Sequence, residues 1–129
     1  RYGVTDLVNP SSSKNSREAE FVLKIESIVL QKLEHAEFNI PVLCREVGMS
    51  QTSLYRKIKS ITGLSIQLFI RKIKIKRAAQ LLLSEDSTVT EIASALDFSD
   101  LKYFRICFKE QYNMTPSEYR MSHLVSKKD

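Results

Sequence analysis

The sequence has few of the residues that build tight turns, because only three glycines and three prolines occur among its 129 residues. An all-β domain needs a turn residue at most chain reversals, so this scarcity favours helices. Long apolar runs are also missing: stretches such as Leu81-Leu82-Leu83 fall far short of the roughly 18 residues that span a bilayer, and the amino end has no signal-peptide pattern. We therefore expect an all-α protein of the cytoplasm, with no membrane contact by this segment.

The residues that form metal and catalytic sites are equally scarce. Cys44 and Cys107 are far apart, and neither has another Cys or a His nearby at ligand spacing, which favours two buried thiols over a zinc site or a redox pair. The chain has no glycine-rich phosphate loop, and its two histidines, His35 and His123, are both expected at helix ends. The sequence accordingly predicts no enzyme, no cofactor and no metal.

Basic residues are concentrated in one part of the chain. Residues 38 to 77 carry nine basic side chains and one acidic side chain, whereas residues 84 to 129 carry six basic and eight acidic ones. Such a basic block indicates a polyanionic partner, with nucleic acid first and an anionic membrane surface second. The alternative is a basic face that is merely solvated.

Apolar periodicity and capping signals divide the chain into seven predicted helices. They lie near residues 16–36, 40–47, 50–61, 66–83, 89–96, 100–112 and 116–122. The expected N-terminal capping residues are Asn15, Asn39, Ser50, Ser65, Thr88, Ser99 and Thr115. Residues 1 to 15 show no sustained period and are predicted to be a linker or tail from an upstream domain, and residues 123 to 129 a C-terminal tail.

The chain contains an internal repeat of a short helix, a turn and a longer helix. Its matched positions are Leu43, Val47 and Met49 with Ile92, Leu96 and Phe98, and Leu54, Ile58 and Lys59 with Phe104, Phe108 and Lys109. The repeat predicts two helix-turn-helix motifs, at about 40–61 and 89–112. The helix at about 66–83 would join them as a rod of roughly 27 Å. This length suits two DNA-contacting helices that enter major grooves about one DNA turn apart.

The second helix of such a motif enters the major groove, so the face opposite its core residues predicts the DNA contacts. We expect Arg56 to read a guanine, because a guanidinium can bond O6 and N7 together. The predicted base contacts are Gln51, Thr52, Ser53, Arg56, Lys102, Arg105 and Ile106. The predicted phosphate contacts are Ser50, Lys57, Lys59, Arg71, Lys74, Ser99 and Lys109. For each residue taken singly, the alternative is an ordinary solvated side chain.

The second motif is expected to be the weaker reader. Ile106 lies where the first motif has Arg56, and an exposed isoleucine either contacts a thymine methyl or reduces the readout, with Arg105 as a partial substitute. Asp97 and Asp100 also lower the local positive potential. We therefore expect the first motif to supply most of the affinity.

With these motifs, the chain resembles the DNA-binding domain of the AraC/XylS family of bacterial transcription regulators over about residues 18 to 122. The similarity rests on Phe69-Ile70-Arg71, Lys74 to Leu83, Glu91-Ile92-Ala93, Phe98-Ser99-Asp100, Tyr103-Phe104, Phe108-Lys109 and Met114 to Arg120. Asp97 and Asn113 stand where the family usually has glycine, and Ile106 where it frequently has arginine. Because Asp and Asn tolerate left-handed backbone, we expect both turns to survive.

The stretch from Met49 to Gly63 resembles the branch of this family that is joined to phospho-receiver domains in response regulators and hybrid sensor kinases. The resemblance implies double-stranded DNA as partner and a receiver or sensor domain upstream in the same chain, as part of a two-component system. The Arg1 start fits that expectation. RNA polymerase is a further candidate partner.

The oligomeric state is predicted from a missing pattern: residues 16 to 122 show no heptad seam and no spare apolar face. We expect the isolated domain to be monomeric and the full-length protein to be dimeric. Two other classes stay open: a helical module that binds an acidic protein, and an RNA reader. The RNA reader is less favoured because the aromatic residues occupy core positions.

Overall fold

The computed structural model describes residues 16–35 and 38–128, with side chains as far as Leu124. The described residues form seven helices and no strand. The helices are α1 (Ser16–Glu34), α2 (Ile40–Val47), α3 (Gln51–Thr62), α4 (Ile66–Ser84), α5 (Val89–Ala95), α6 (Leu101–Tyr112) and α7 (Pro116–Lys128). The predicted all-α fold is confirmed. The predicted linker at residues 1–15, with the expected cap Asn15, lies outside the described residues.

Short polar side chains fix where the helices begin. Asn39 Oδ1 accepts the Val42 N–H at 2.8 Å, and Ser50 Oγ accepts the Ser53 N–H at 3.1 Å. Each bond satisfies one of the amides that the first turn of a helix leaves without an intrahelical partner. Caps at Ser65, before α4, and at Thr88, before α5, follow the same rule.

Helix α6 begins after a different cap from the one predicted. Asp100, and not Ser99, is the N-cap: its Oδ1 accepts the N–H groups of Lys102 and Tyr103 at 2.9 and 3.4 Å. A carboxylate at this position satisfies amides as serine would and adds an attraction to the positive end of the helix dipole. Ser99 is therefore an exposed residue just outside the helix.

Helix α7 is longer than predicted. Thr115 and Glu118 form a capping box at its start, with bonds of 2.9 and 3.1 Å, but the helix runs on through Lys128 and does not end near residue 122. No glycine or proline follows residue 122 to stop it. The expected tail from residue 123 is thus helical as far as Lys128, and His123 lies within the helix, with Nδ1 3.0 Å from the Tyr119 carbonyl.

The described residues divide into two compact units, with the boundary between Ile73 and Lys74, within α4. In the first unit α2 packs on both α1 and α3. Its core includes Val22, Ile25, Val29, Leu43, Leu54, Ile58, Ile61, Ile66, Phe69 and Ile73. An ion pair of 3.6 Å between Lys32 and Glu46 joins α1 to α2.

In the second unit α6 packs on both α5 and α7. Its core is a cluster of aromatic rings: Phe108 stacks on Tyr112 at 4.8 Å between centroids and meets the edge of Tyr119 at 5.5 Å. Ile92 and Ala93 of α5 complete the buried side. Offset and edge-to-face ring pairs add to the apolar burial that stabilises this unit.

The four turns that close α2, α3, α5 and α6 share one backbone feature. Gly48 and Gly63 have φ values of 69° and 78°, and Asp97 and Asn113 have φ values of 68° and 64°. The expectation that Asp97 and Asn113 keep the left-handed turns is confirmed. Because both amino acids accept this conformation with less strain than most, the second helix-turn-helix forms without those glycines.

The structure also bears on the predictions about the cysteines and about membrane-spanning helices. Both cysteines are free thiols, but only Cys107 is buried, whereas Cys44 is half-buried. None of the described helices is long and apolar enough to cross a bilayer.

Candidate nucleic-acid interface

Helix α3 has one buried face and one exposed face, as the apolar spacing predicts. Leu54, Ile58 and Ile61 are buried against the rest of the first unit. The predicted base contacts Gln51, Thr52, Ser53 and Arg56 are all exposed. Polar groups that reach outward from a well-anchored helix are what a recognition helix requires.

Arg56 lies at the centre of the exposed face of α3. Its guanidinium makes no hydrogen bond or ion pair with any residue that the structure describes. Five N–H donors in a planar fork are thus available, and two of them match the O6 and N7 acceptors of guanine. Among the residues that the structure describes, no hydrogen bond or ion pair of the Arg56 side chain competes with such a contact.

The side chain of Gln51 is already oriented within α3. Its Nε2 donates a 2.8 Å hydrogen bond to the hydroxyl of Tyr55, one helical turn later. Fixing one amide hydrogen leaves the carbonyl oxygen and the second hydrogen for an adenine edge, which a glutamine reads through N6 and N7. Sequence reasoning missed Tyr55 as a positioning residue, although the i, i+4 spacing of Gln and Tyr was a usable signal.

Two of the predicted phosphate contacts in α3 have partners within the first unit. Lys57 Nζ lies 4.4 Å from the ring centroid of Phe21 in α1, a cation–π contact. Lys59 Nζ donates a 3.2 Å hydrogen bond to the Gly63 carbonyl at the end of its own helix. Both side chains are exposed, and an ammonium has three donors, so a phosphate contact by either lysine stays a prediction.

Helix α6 repeats this arrangement with different chemistry. Phe104, Cys107 and Phe108 are buried, whereas Lys102, Arg105 and Lys109 are exposed. Ile106 is also exposed, with 48% of its surface open to solvent, at the position that corresponds to Arg56 in α3. The predicted division of α6 into a core face and an outer face is confirmed, including the outward position of the isoleucine.

The remaining phosphate candidates differ in accessibility. Ser50 and Ser99 are exposed just before the second helix of their motifs, α3 and α6, and Arg71 is half-buried in α4. Lys74 is also half-buried, with Nζ 5.7 Å from the Phe98 ring centroid. Burial lowers the pKa of Lys74, and the negative charge of Asp97 opposes that shift. Its predicted phosphate contact is therefore less favoured than those of the exposed lysines.

Comparisons with known proteins agree with this geometry. A family model described as a helix-turn-helix domain matches residues 43–122. Histidine kinase P4 from Formosa agariphila is 34% identical over 106 residues, which are 82% of this chain and 8% of that protein. The HTH-type transcriptional regulator MtrA from Neisseria gonorrhoeae is 34% identical over 84 residues, 65% of this chain and 28% of that protein. The chain thus spans less than a third of either relative.

Solved structures show the same fold. The C-terminal domain of the two-component response regulator YesN from Fusobacterium nucleatum is 28% identical, with a TM-score of 0.62, and the match covers 78% of this chain and 98% of that one. The family model covers both α3 and α6 and more than half of the chain. The chain therefore belongs to the family of AraC-type helix-turn-helix DNA-binding domains of transcription regulators.

Proposed function

We propose that this chain binds double-stranded DNA in a sequence-specific way, as the output domain of a bacterial transcription regulator with no catalytic role of its own. The observation that carries the proposal is the outer face of α3. There the guanidinium of Arg56, which has no hydrogen-bond or ion-pair partner among the described residues, projects from a helix whose other face is fully buried. Such a helix presents donors to a base edge at little cost in reorganisation.

In this proposal the first turn of α3 enters the major groove. Gln51, Thr52 and Ser53 meet base edges there, while Arg56, one turn later, bonds a guanine. Ser50, Lys57, Lys59 and Arg71 contact phosphates and fix the register of the helix on the duplex. Lys102, Arg105 and Ile106 of α6 read a second, weaker motif, with Ser99, Lys74 and Lys109 as its phosphate contacts.

The basic block of residues 38 to 77 supports DNA as the partner. Its nine basic side chains stand against a single acid, and phosphate neutralisation by such residues releases condensed counterions. Binding to DNA therefore weakens steeply as salt is raised. The module that binds an acidic protein, which is the second candidate, gives a shallower dependence because a protein surface carries no comparable counterion layer.

We further propose that the protein acts within a two-component system in the cytoplasm. Support comes from two relatives: one bears the name of a histidine kinase, and the other is the C-terminal domain of a two-component response regulator. An upstream receiver or sensor domain would then bring two copies together. Dimerisation raises the effective concentration of the second copy on a two-site duplex without any new base contact. RNA polymerase is the candidate partner of the bound complex.

Selection of bound sites from random duplex DNA tests the proposal. We expect enrichment of two short motifs about 10 base pairs apart, one of them containing guanine, with binding that falls steeply between low and moderate salt. A single enriched motif would show that α6 reads no bases. No enrichment at all, or affinity that is insensitive to salt, would contradict DNA as the partner.

Sedimentation of the chain tests the dimer proposal separately. We expect a monomer in solution and tighter binding to a two-site duplex when the chain is fused to an unrelated dimerising domain. A stable dimer of the chain alone would contradict pairing driven from upstream. An absence of gain from the fusion would contradict binding of two copies to one duplex.

A further inference from the structure

The outer face of α6 carries an exposed apolar pair. Tyr103 and Ile106 keep 45% and 48% of their surfaces open to solvent, and their i, i+3 spacing makes them neighbours on the helix. The core side of the same helix is already filled by Phe104 and Phe108, which are fully buried. Ile106 is therefore not a part of the core of the second unit.

Cations surround this apolar pair. Lys102 lies one turn before Ile106, Lys109 lies just under one turn after it, and Arg105 is its neighbour; all three side chains are exposed. Protein-binding patches are depleted in lysine, whereas duplex DNA attracts lysine and arginine to its phosphates. The charge pattern of the face thus favours DNA as the occupant.

An isoleucine on a DNA-reading face has few base groups with which it can pair. It can neither donate nor accept a hydrogen bond, and covering a base donor or acceptor with it would leave a polar group unsatisfied. In the major groove the C5 methyl of thymine is the apolar group that a base edge offers. Isoleucine and methyl complement each other in size and polarity.

Building on the proposed function, we propose that Ile106 is a specificity-determining residue that packs on the C5 methyl of a thymine in the major groove. The first motif then reads guanine through Arg56, and the second reads thymine by apolar contact at the matching position. The ring of Tyr103, whose centroid is 6.3 Å from that of Phe98, borders the contact and widens its apolar surface. Lys102 and Lys109 are the flanking phosphate contacts.

Removing one methyl group from the DNA tests this contact without any change in the protein. In the duplex obtained by selection, each thymine of the weaker motif is replaced in turn by deoxyuridine, which keeps the base pairing and lacks the C5 methyl. At one position we expect about a four-fold loss of affinity, the factor that corresponds to one buried methyl group. A cytosine at that position is expected to bind better when it carries a 5-methyl group.

The same substitutions with the Ile106→Ala variant complete a double-mutant cycle. Ile106→Ala is expected to bind the thymine and deoxyuridine duplexes equally, because the partner of the methyl is gone. Leu23→Ala is the matched control: Leu23 is 49% exposed on α1, and its variant should keep the full sensitivity to the methyl. Far-UV circular dichroism establishes that both variants are folded.

The outcomes separate this inference from the proposed function. Two enriched motifs together with no effect of deoxyuridine on the wild-type chain would overturn the thymine contact and leave DNA binding intact. An equal effect of deoxyuridine on wild type and Ile106→Ala would also overturn it. Unchanged DNA binding by Ile106→Ala on every duplex would assign the apolar pair to a protein partner instead. No enriched motif would refute the proposed function, and the inference with it.

Discussion

Asp97 adopts in the second helix-turn-helix the same left-handed conformation as Gly48 in the first, with φ values of 68° and 69°. The two residues close the first helix of their motifs, α5 and α2. The turn geometry is thus common to both copies of the repeat, but a different amino acid adopts the positive φ in each. Glycine adopts this positive φ without strain, and aspartate adopts it at a small cost in free energy.

The strain at this turn can be measured at Gly48. A Cβ atom added there would meet nothing within 4 Å, so any loss of stability comes from the backbone alone. Gly48→Ala should lower the free energy of unfolding by about 1 kcal/mol, and Gly48→Asn by clearly less, because asparagine tolerates positive φ. Urea unfolding measures both, with Ser60→Ala as a surface control in α3. Equal losses for Ala and Asn would contradict this account of the turn.

Arg120 joins α7 to the end of α4 by three hydrogen bonds. Its Nε donates to the Leu82 carbonyl at 2.8 Å, and its Nη2 donates to the carbonyls of Glu85 and Ser87 at 3.0 and 2.8 Å. Carbonyls at the end of a helix have no intrahelical partner, so a guanidinium satisfies groups that would otherwise depend on water. Arg120 therefore orders the loop between α4 and α5.

Loss of this contact should destabilise the second unit. We expect Arg120→Met to cost about 2 to 3 kcal/mol, and Arg120→Lys to recover only a part, because an ammonium lacks the planar fork. Thermal unfolding followed by near-UV circular dichroism of the aromatic cluster reports on this unit. Full recovery by lysine would show that charge, and not the fork geometry, is what matters.

The start of α7 should respond to acid. Hydrogen bonds from the Thr115 backbone and side chain hold the pKa of Glu118 below its ordinary value, and the charge of Lys109 adds to this shift. A lowered carboxyl pKa in the folded state adds stability that is fully present above the unfolded-state pKa of about 4.3 and is lost as the pH falls through the folded-state pKa.

The expected result is a fall in the unfolding midpoint below about pH 4 that is smaller in Glu118→Gln, since glutamine keeps the capping box but does not titrate. Urea unfolding at a series of pH values measures it. Ser60→Ala, an exposed and non-titrating position in α3, is the control and should follow the wild type. An unchanged acid response in Glu118→Gln would contradict the assignment.

The two recognition helices should differ in their electrostatic contribution. Neutralising Lys57 and Lys59 together should flatten the dependence of log K on log salt by up to about 0.9 per lost phosphate contact, and more than neutralising Lys102 and Lys109. The basic block around α3 motivates this order. Lys24→Gln on α1 controls for net charge. A larger change in slope after neutralising Lys102 and Lys109 would contradict the expectation that the first motif supplies most of the affinity.

What the sequence predicted well is local. Helix starts at Asn39 and Ser50, and the left-handed turns at Asp97 and Asn113, depend on side chains and backbone within a few residues, so their chemistry is legible in the chain itself. The prediction of Ser99 instead of Asp100 as the N-cap of α6 was wrong because two good capping residues are adjacent there, and propensity alone does not separate them.

What the sequence could not show depends on distant partners. The ring of Phe21 beneath Lys57 and the three carbonyls held by Arg120 come from other helices or loops, and no periodicity encodes such pairings. The outward positions of Arg56 and Ile106 were predictable because helical spacing alone decides them. Which bases they contact stays a prediction.

The central claim is that Arg56 reads a base from the outer face of α3. The most direct measurement compares wild type and Arg56→Ala for binding to the selected duplex and to a scrambled duplex of the same composition. We expect Arg56→Ala to weaken binding to the selected duplex by about 1 to 3 kcal/mol, to relax the preference at one base pair, and to change binding to the scrambled duplex little. Equal losses on both duplexes would contradict the claim, because a residue that only neutralises phosphates does not distinguish sequences.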